Sequence, residues 1–206
     1  MTYFSYWAKA DRAADCLFHP IPFHSLDVAA CAWHLLAGKS TLSNRLQLLS
    51  GIEAVELRDL VCFFVALHDV GKFSSAFQGL VPELMPDGCI PDAPYDPRHD
   101  SLGFFLWQER LSEALCKRNT FKLSDDGDED EWLDILDYWM RAVTGHHGQP
   151  PKDAKFSLGR YFSPCDQSAA ERFALDVAKL FLTRNSGRTS PASSPSLAPT
   201  AELSWW

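Results

Sequence analysis

Apolar positions are densest between Leu60 and Leu67, a run that predicts a buried helix over 53–68 with His68 and Asp69 at its end. Gly71 offers the left-handed turn that stops a helix at low cost, and Lys72 follows at once. Upstream, Val28, Cys31 and Leu35 recur at helical spacing and predict a helix from about His24 to Ala37, with Gly38 as its stop. Before it, Met1 to His19 is aromatic and irregular, and Pro20 and Pro22 discourage a helix there. Further helices are expected over 41–50, Phe73–Leu80, Asp100–Lys117, Trp132–Thr144 and Gln167–Thr183. The Pro- and Asp-rich stretch from Pro82 to Pro97 reads as a surface loop. No segment alternates convincingly enough to be a strand, and there is no internal repeat. The pattern predicts an all-α helical bundle, in which a site is built from facing helices and the loops at their ends. Residues 1–184 form the expected domain, 185–200 a flexible Ser/Pro-rich linker, and 201–206 the start of a further helix.

Composition narrows this picture. A length of 206 residues fits one domain, which takes roughly 100–200, and 46% apolar residues suffice for a core. The six cysteines contain no C-x-x-C pair, which argues against a zinc ribbon or disulfide framework and for a reduced, cytoplasmic protein. There is no signal-like pattern at the N-terminus, and no apolar run approaches the about 20 residues of a membrane span. A soluble protein without membrane contact is expected. The net charge of −8 looks wrong for a nucleic-acid partner, but Ser124–Glu131 alone carries six acids and no base. The rest of the chain holds 21 acids against 19 bases, so that run is read as a solvated loop on a nearly neutral protein.

Histidine placement brings in chemistry. His24 opens an expected helix, His68 closes one, His99 precedes one, and His146 and His147 end another inside Gly-His-His-Gly. His19 and His34 lack such settings and read as structural or surface residues. An isolated His-Asp pair is more often a helix end beside an aspartate paired with a lysine, here Lys72. Imidazole with carboxylate nevertheless suits divalent Mn, Fe, Co, Ni or Zn, and a carboxylate can bridge two ions. One aspartate and five histidines exceed what a single tetrahedral ion needs. A two-metal site follows, with ions roughly 3.5–4 Å apart clamping the oxygens of a phosphodiester.

Phe23-His24-Ser25-Leu26-Asp27-Val28-Ala29-Ala30, His68-Asp69-Val70-Gly71-Lys72-Phe73, His99 and Gly145-His146-His147-Gly148 together resemble the HD nuclease domain of the type I CRISPR helicase–nuclease. Tyr6-Trp7-Ala8-Lys9 is similar too, and the likeness runs from about residue 6 to 206. The resemblance implies an HD-domain helical bundle that nicks and degrades single-stranded DNA in antiviral defence, with two divalent transition-metal ions (Mn, Fe, Co or Ni). It implies partners as well: the CRISPR helicase domains and the RNA-guided surveillance complex. Carried over by position, His24 and His68 hold one ion, His99, His146 and His147 the other, and Asp69 bridges them. Lys72 is expected near the scissile phosphate, where it stabilises developing charge.

In the family a further aspartate ligand follows in an Ala-Asp-Trp-like segment. Here the similar lead-in, Glu202-Leu203-Ser204-Trp205-Trp206, is where the sequence ends, which suggests a fragment or truncated product of reduced activity. Asp166 and Asp176 are alternative carboxylates, and nothing in the sequence selects either. Two other functions compete: an HD phosphohydrolase acting on nucleotides or a cyclic dinucleotide, and an inactive HD remnant serving as a binding module.

Overall fold

The computed structural model describes residues 2–11, 17–38, 40–87, 94–118, 120–121, 129–152 and 157–182. The expected linker at 185–200, the expected helix start at 201–206 and residues 124–128 of the acidic run lie outside them. The described chain is a helical bundle with one small antiparallel hairpin, β1 (Trp7–Asp11) and β2 (Leu17–Pro20).

The hairpin departs from the expectation of an irregular N-terminus. Its strands are short and carry no alternating apolar signal; Trp7 and Ala8, adjacent in sequence, are both buried. What holds β1 is remote. The buried Gln78 side chain accepts the Trp7 N–H (3.2 Å) and donates to the Trp7 carbonyl (3.0 Å), replacing a peptide unit of a neighbouring strand.

Helix α1 (Ile21–Leu35) starts three residues earlier than expected. Pro22 sits in its first turn, where a missing N–H breaks no helical bond. Its buried face is also different: Ile21, His24, Ser25 and Ala29 point inward, while Cys31 is exposed and Leu35 is 61% exposed. Small side chains on that face let α1 lie close against α3 (Ala54–Ala66), and the Cys62 Sγ reaches within 3.6 Å of the Ala29 carbonyl. In the sequence between them comes α2 (Thr41–Ser50), capped by Ser40 and ended by Gly51 at φ 68°.

Helix α3 buries Leu57, Cys62, Phe63, Phe64 and Ala66 in the core. It ends at Leu67, so His68 and Asp69 stand in the turn beyond it, followed by a 3-10 turn (Val70–Phe73) and α4 (Ser75–Gln78). Gly71 is not the left-handed stop expected of it. It lies within the 3-10 turn, and a Cβ there would meet the His99 carbonyl oxygen at 1.9 Å and the Gly103 nitrogen at 2.5 Å. Gly71 is needed because α5 (His99–Leu106) crosses directly over the His-Asp turn.

The expected helix over Asp100–Lys117 is α5, a π-helical turn (Trp107–Leu111) and α6 (Ser112–Cys116) in succession. The last acids of the acidic run open α7 (Glu129–Thr144), so that end is helix, not loop. After α8 (Leu158–Tyr161), α9 (Pro164–Leu182) packs against α3. It begins three residues before the expected Gln167 because Ser163 and Asp166 form a capping box, exchanging backbone N–H bonds at 2.7 and 3.2 Å. No helix among the described residues is long and apolar enough to cross a membrane.

Candidate metal centre

Four chain segments converge on Asp69, which is 2% exposed. From the first turn of α1, His24 brings Nε2 to 3.0 Å from Asp69 Oδ2; from the turn after α3, His68 Nε2 stands 3.1 Å from the same oxygen. Lys72 Nζ lies 2.7 Å from Oδ2 and also donates to the Ala8 carbonyl at 3.3 Å. On the other side, His99 at the start of α5 and His146 beyond α7 place Nε2 at 3.2 and 3.7 Å from Oδ1. His147 Nε2 is 3.1 Å from His99 Nε2. The ligand atoms of His24, His68 and Asp69 lie within 4.8 Å of one another, and those of His99, His146 and His147 do the same.

Local sequence explains the aim of these rings. A helix end leaves carbonyls without intrahelical partners. His68 Nδ1 meets the Val65 carbonyl at 2.7 Å and His146 Nδ1 meets Val143 at 3.0 Å, each three residues back. In both rings Nδ1 donates, so the neutral ring turns its Nε2 lone pair toward Asp69, and a protonated ring donates there instead. The glycines of Gly-His-His-Gly act differently from each other. Gly145 is packed tightly, with a Cβ position 3.1 Å from the Arg141 carbonyl oxygen, while Gly148 supplies a positive φ of 80° in open space.

Burial opposes the charge on Asp69, but its contacts with His24 and His68 outweigh that and hold the carboxyl well below the usual range. Desolvation lowers the basicity of His146 and His147, which favours the neutral form that ligates metal. Oδ1 of Asp69 is buried and makes no hydrogen bond, although imidazole nitrogens stand close to it. An orphaned buried carboxylate oxygen carries a large cost unless a cation meets it. The donor set therefore fits divalent ions: imidazoles on either side, with one carboxylate oxygen facing each group.

The other candidate residues fall elsewhere. His19 lies 3.4 Å from Asp27 near the surface and His34 is exposed, as read from sequence. Asp166 is fully buried, accepting from Tyr6 Oη at 2.9 Å and from Ser75, and Asp176 faces Tyr3 and Lys179. Both carboxylates belong to structural contacts and neither joins the two ligand groups. Sequence reading missed Gln78 and Tyr95. Gln78 ties β1 to the His-Asp turn, donating to both the Trp7 and Lys72 carbonyls. The hydroxyl of Tyr95 bonds His99 Nδ1. No local pattern marks either residue; their partners are distant or irregular in sequence.

Helix ends that deliver four further imidazoles around a buried His-Asp pair place the chain in the HD class of helical domains. Within that class the chain belongs to the family described as "Cas3, HD domain", which matches residues 7–206. A curated relative, the CRISPR-associated endonuclease/helicase Cas3 of Escherichia coli (strain K12), is 29% identical over 203 residues, covering 86% of this chain and 22% of that protein. The chain thus spans about a fifth of that relative's length. Among solved structures, T. fusca Cas3 matches with a TM-score of 0.63 at 20% identity, over 85% of this chain and 19% of that one. A CRISPR RNA-guided surveillance complex in a pre-nicking state contains a chain that matches at 0.64 and 20% identity, over 94% of this chain and 22% of that one. These structures share the fold.

Proposed function

We propose that this chain is a metal-dependent phosphodiesterase acting on single-stranded DNA, the nuclease part of a CRISPR interference system. The observation that carries the reading is the division of Asp69: each oxygen of one buried carboxylate faces its own pair of imidazole nitrogens. His24, His68 and Asp69 would hold one divalent ion, and His99, His146, His147 and Asp69 a second, of the Mn, Fe, Co or Ni type. When bound, such ions polarise a phosphoryl oxygen and lower the pKa of a water.

The protein's own part is to orient and to leave access. Lys72 keeps positive charge beside the carboxylate, where a scissile phosphate would arrive. His146 and His147 are exposed while His24, His68 and His99 are buried, so substrate approaches from the end of α7. A flexible single strand can bend a phosphate into that recess, and a stiff duplex cannot. The relative's combination of endonuclease with helicase, and the match within a surveillance complex, support a helicase and an RNA-guided complex as the partners that supply the strand.

Purified protein loaded with Mn or Co, offered single-stranded DNA, duplex DNA and free nucleotides, tests the reading. Cleavage of the single strand above the other two, lost in Asp69→Ala, is expected. Phosphate release from nucleotides with intact DNA would instead make the chain a nucleotide phosphohydrolase. Failure to bind metal would leave a binding module.

A further inference from the structure

A neutral imidazole offers a lone pair at one nitrogen only, so a ligating histidine needs a partner for the other. His68 and His146 meet this need with helix-end carbonyls three residues back. His99 has no such option. It is the first residue of α5, so no helical turn precedes it, and that helix's unpaired carbonyls lie at the opposite end.

The Tyr95 hydroxyl takes the place of that carbonyl. It hydrogen-bonds His99 Nδ1 and accepts the His99 backbone N–H at 3.0 Å, one of the donors a helix start leaves unpaired. A phenol hydroxyl both accepts and donates, so one atom can engage the His99 ring and its backbone N–H together and fix the ring relative to its own backbone; in a ligating His99, Nδ1 is the donor. With the Nδ1 proton directed at Tyr95, Nε2 turns its lone pair toward Asp69 Oδ1 at 3.2 Å and His147 at 3.1 Å. The tyrosine is itself held. Its ring stands edge-on to Phe77 at 5.6 Å, and Phe77 stands edge-on to His99 at 5.7 Å.

We propose that Tyr95 is a positioning residue of the metal centre: its hydroxyl fixes the tautomer and tilt of His99 and thereby sets the affinity of the ion assigned to His99, His146 and His147. This rests on the reading of the cluster as a two-ion site. Tyr95→Phe removes the oxygen and keeps the ring against Phe77; Tyr95→Leu removes both.

The experiment is a Co(II) titration of the metal-free protein followed by absorption, for wild type and both variants, with thermal melting of each metal-free form. Two binding steps are expected in wild type. In Tyr95→Phe one step weakens roughly 10–100-fold, the usual effect of losing such an outer partner, while the other step holds and the metal-free protein stays folded, its melting temperature lowered slightly by the lost helix-start bond. In the Co(II) protein the exchangeable imidazole N–H resonance of His99 should exchange with solvent faster in Tyr95→Phe, which a packing role would not cause. If Tyr95→Phe titrates like wild type and only Tyr95→Leu is impaired, Tyr95 acts by packing and the proposal is overturned. A wild-type protein that binds no Co(II) would overturn the metal centre itself and the role of Tyr95 with it.

Discussion

Single residues at the centre serve charge and fold at once. Asp69 is the counter-charge of the buried Lys72 ammonium as well as the carboxylate shared by the two histidine groups. Asp69→Asn should therefore reduce bound metal from two ions to fewer than one by elemental analysis. It should also cost roughly 3 kcal/mol, because a buried cation loses its partner. Adding Lys72→Met should recover most of the stability and none of the metal, so melting and metal content separate the two roles. Asp166 is the control. Its carboxylate serves Tyr6, Ser75 and the start of α9, so Asp166→Ala should lower stability by roughly 3 kcal/mol and leave metal stoichiometry intact. Cys62 offers a reactivity test of the same core. Burial and nearby Asp59 push its thiol up to about 11. Since the thiolate is the reactive form, alkylation at pH 8.5 should mark exposed Cys31 and spare Cys62 until the protein unfolds.

Among the secondary-structure elements, the decisive contact is α5 crossing the His-Asp turn. Gly71 permits it, and the same crossing sets where His99 enters the site. A methyl group at Gly71 collides with backbone on α5, which has no rotamer to yield. Gly71→Ala should cost more than about 3 kcal/mol, and any folded fraction should bind the ion on the His99 side weakly. Gly148 makes the contrast, since a Cβ there meets nothing within 4 Å and only the positive φ is strained. Gly148→Ala should cost about 1–2 kcal/mol and keep both ions. Urea unfolding of the two variants orders these costs; equal losses would contradict the role assigned to Gly71.

Across the whole molecule, the site ties together the start of α1, the turn after α3, the start of α5 and the turn after α7. An ion bound to the folded form alone stabilises it by mass action, about 2.7 kcal/mol at a hundred times its dissociation constant. Melting temperature should rise with Mn or Co, fall with chelator, and stay flat in Asp69→Asn. Outside the acidic run the chain is nearly neutral, so under the proposed function attraction to DNA would come chiefly from bound metal and a few cations such as Lys72. Binding to single-stranded DNA should be weak and salt-sensitive. Binding that persists at high salt would point to a base-reading surface instead.

The longer helices and their approximate limits were legible in the sequence because helical periodicity is local: each signal repeats within a few residues. So was the placement at helix ends of the five histidines that the fold gathers around Asp69, since helix ends flanked by Gly, Pro or Asp are visible without coordinates. The break of 100–117 into three pieces and the short α8 were not. The face that α1 buries was not legible. Val28, Cys31 and Leu35 make the more apolar stripe, yet close approach to α3 selects the small Ser25 and Ala29. Gly71 looked like a helix stop because its actual requirement, the backbone of His99, lies on another helix. The hairpin stayed hidden because its strands are short and β1 is braced by the distant side chain of Gln78, and Tyr95 because its task depends on where His99 falls in α5. Sequence by itself determined which groups stand at helix ends. Tertiary structure alone decided which atoms meet, because contact between distant segments depends on how closely backbones pack, and that has no period along the chain.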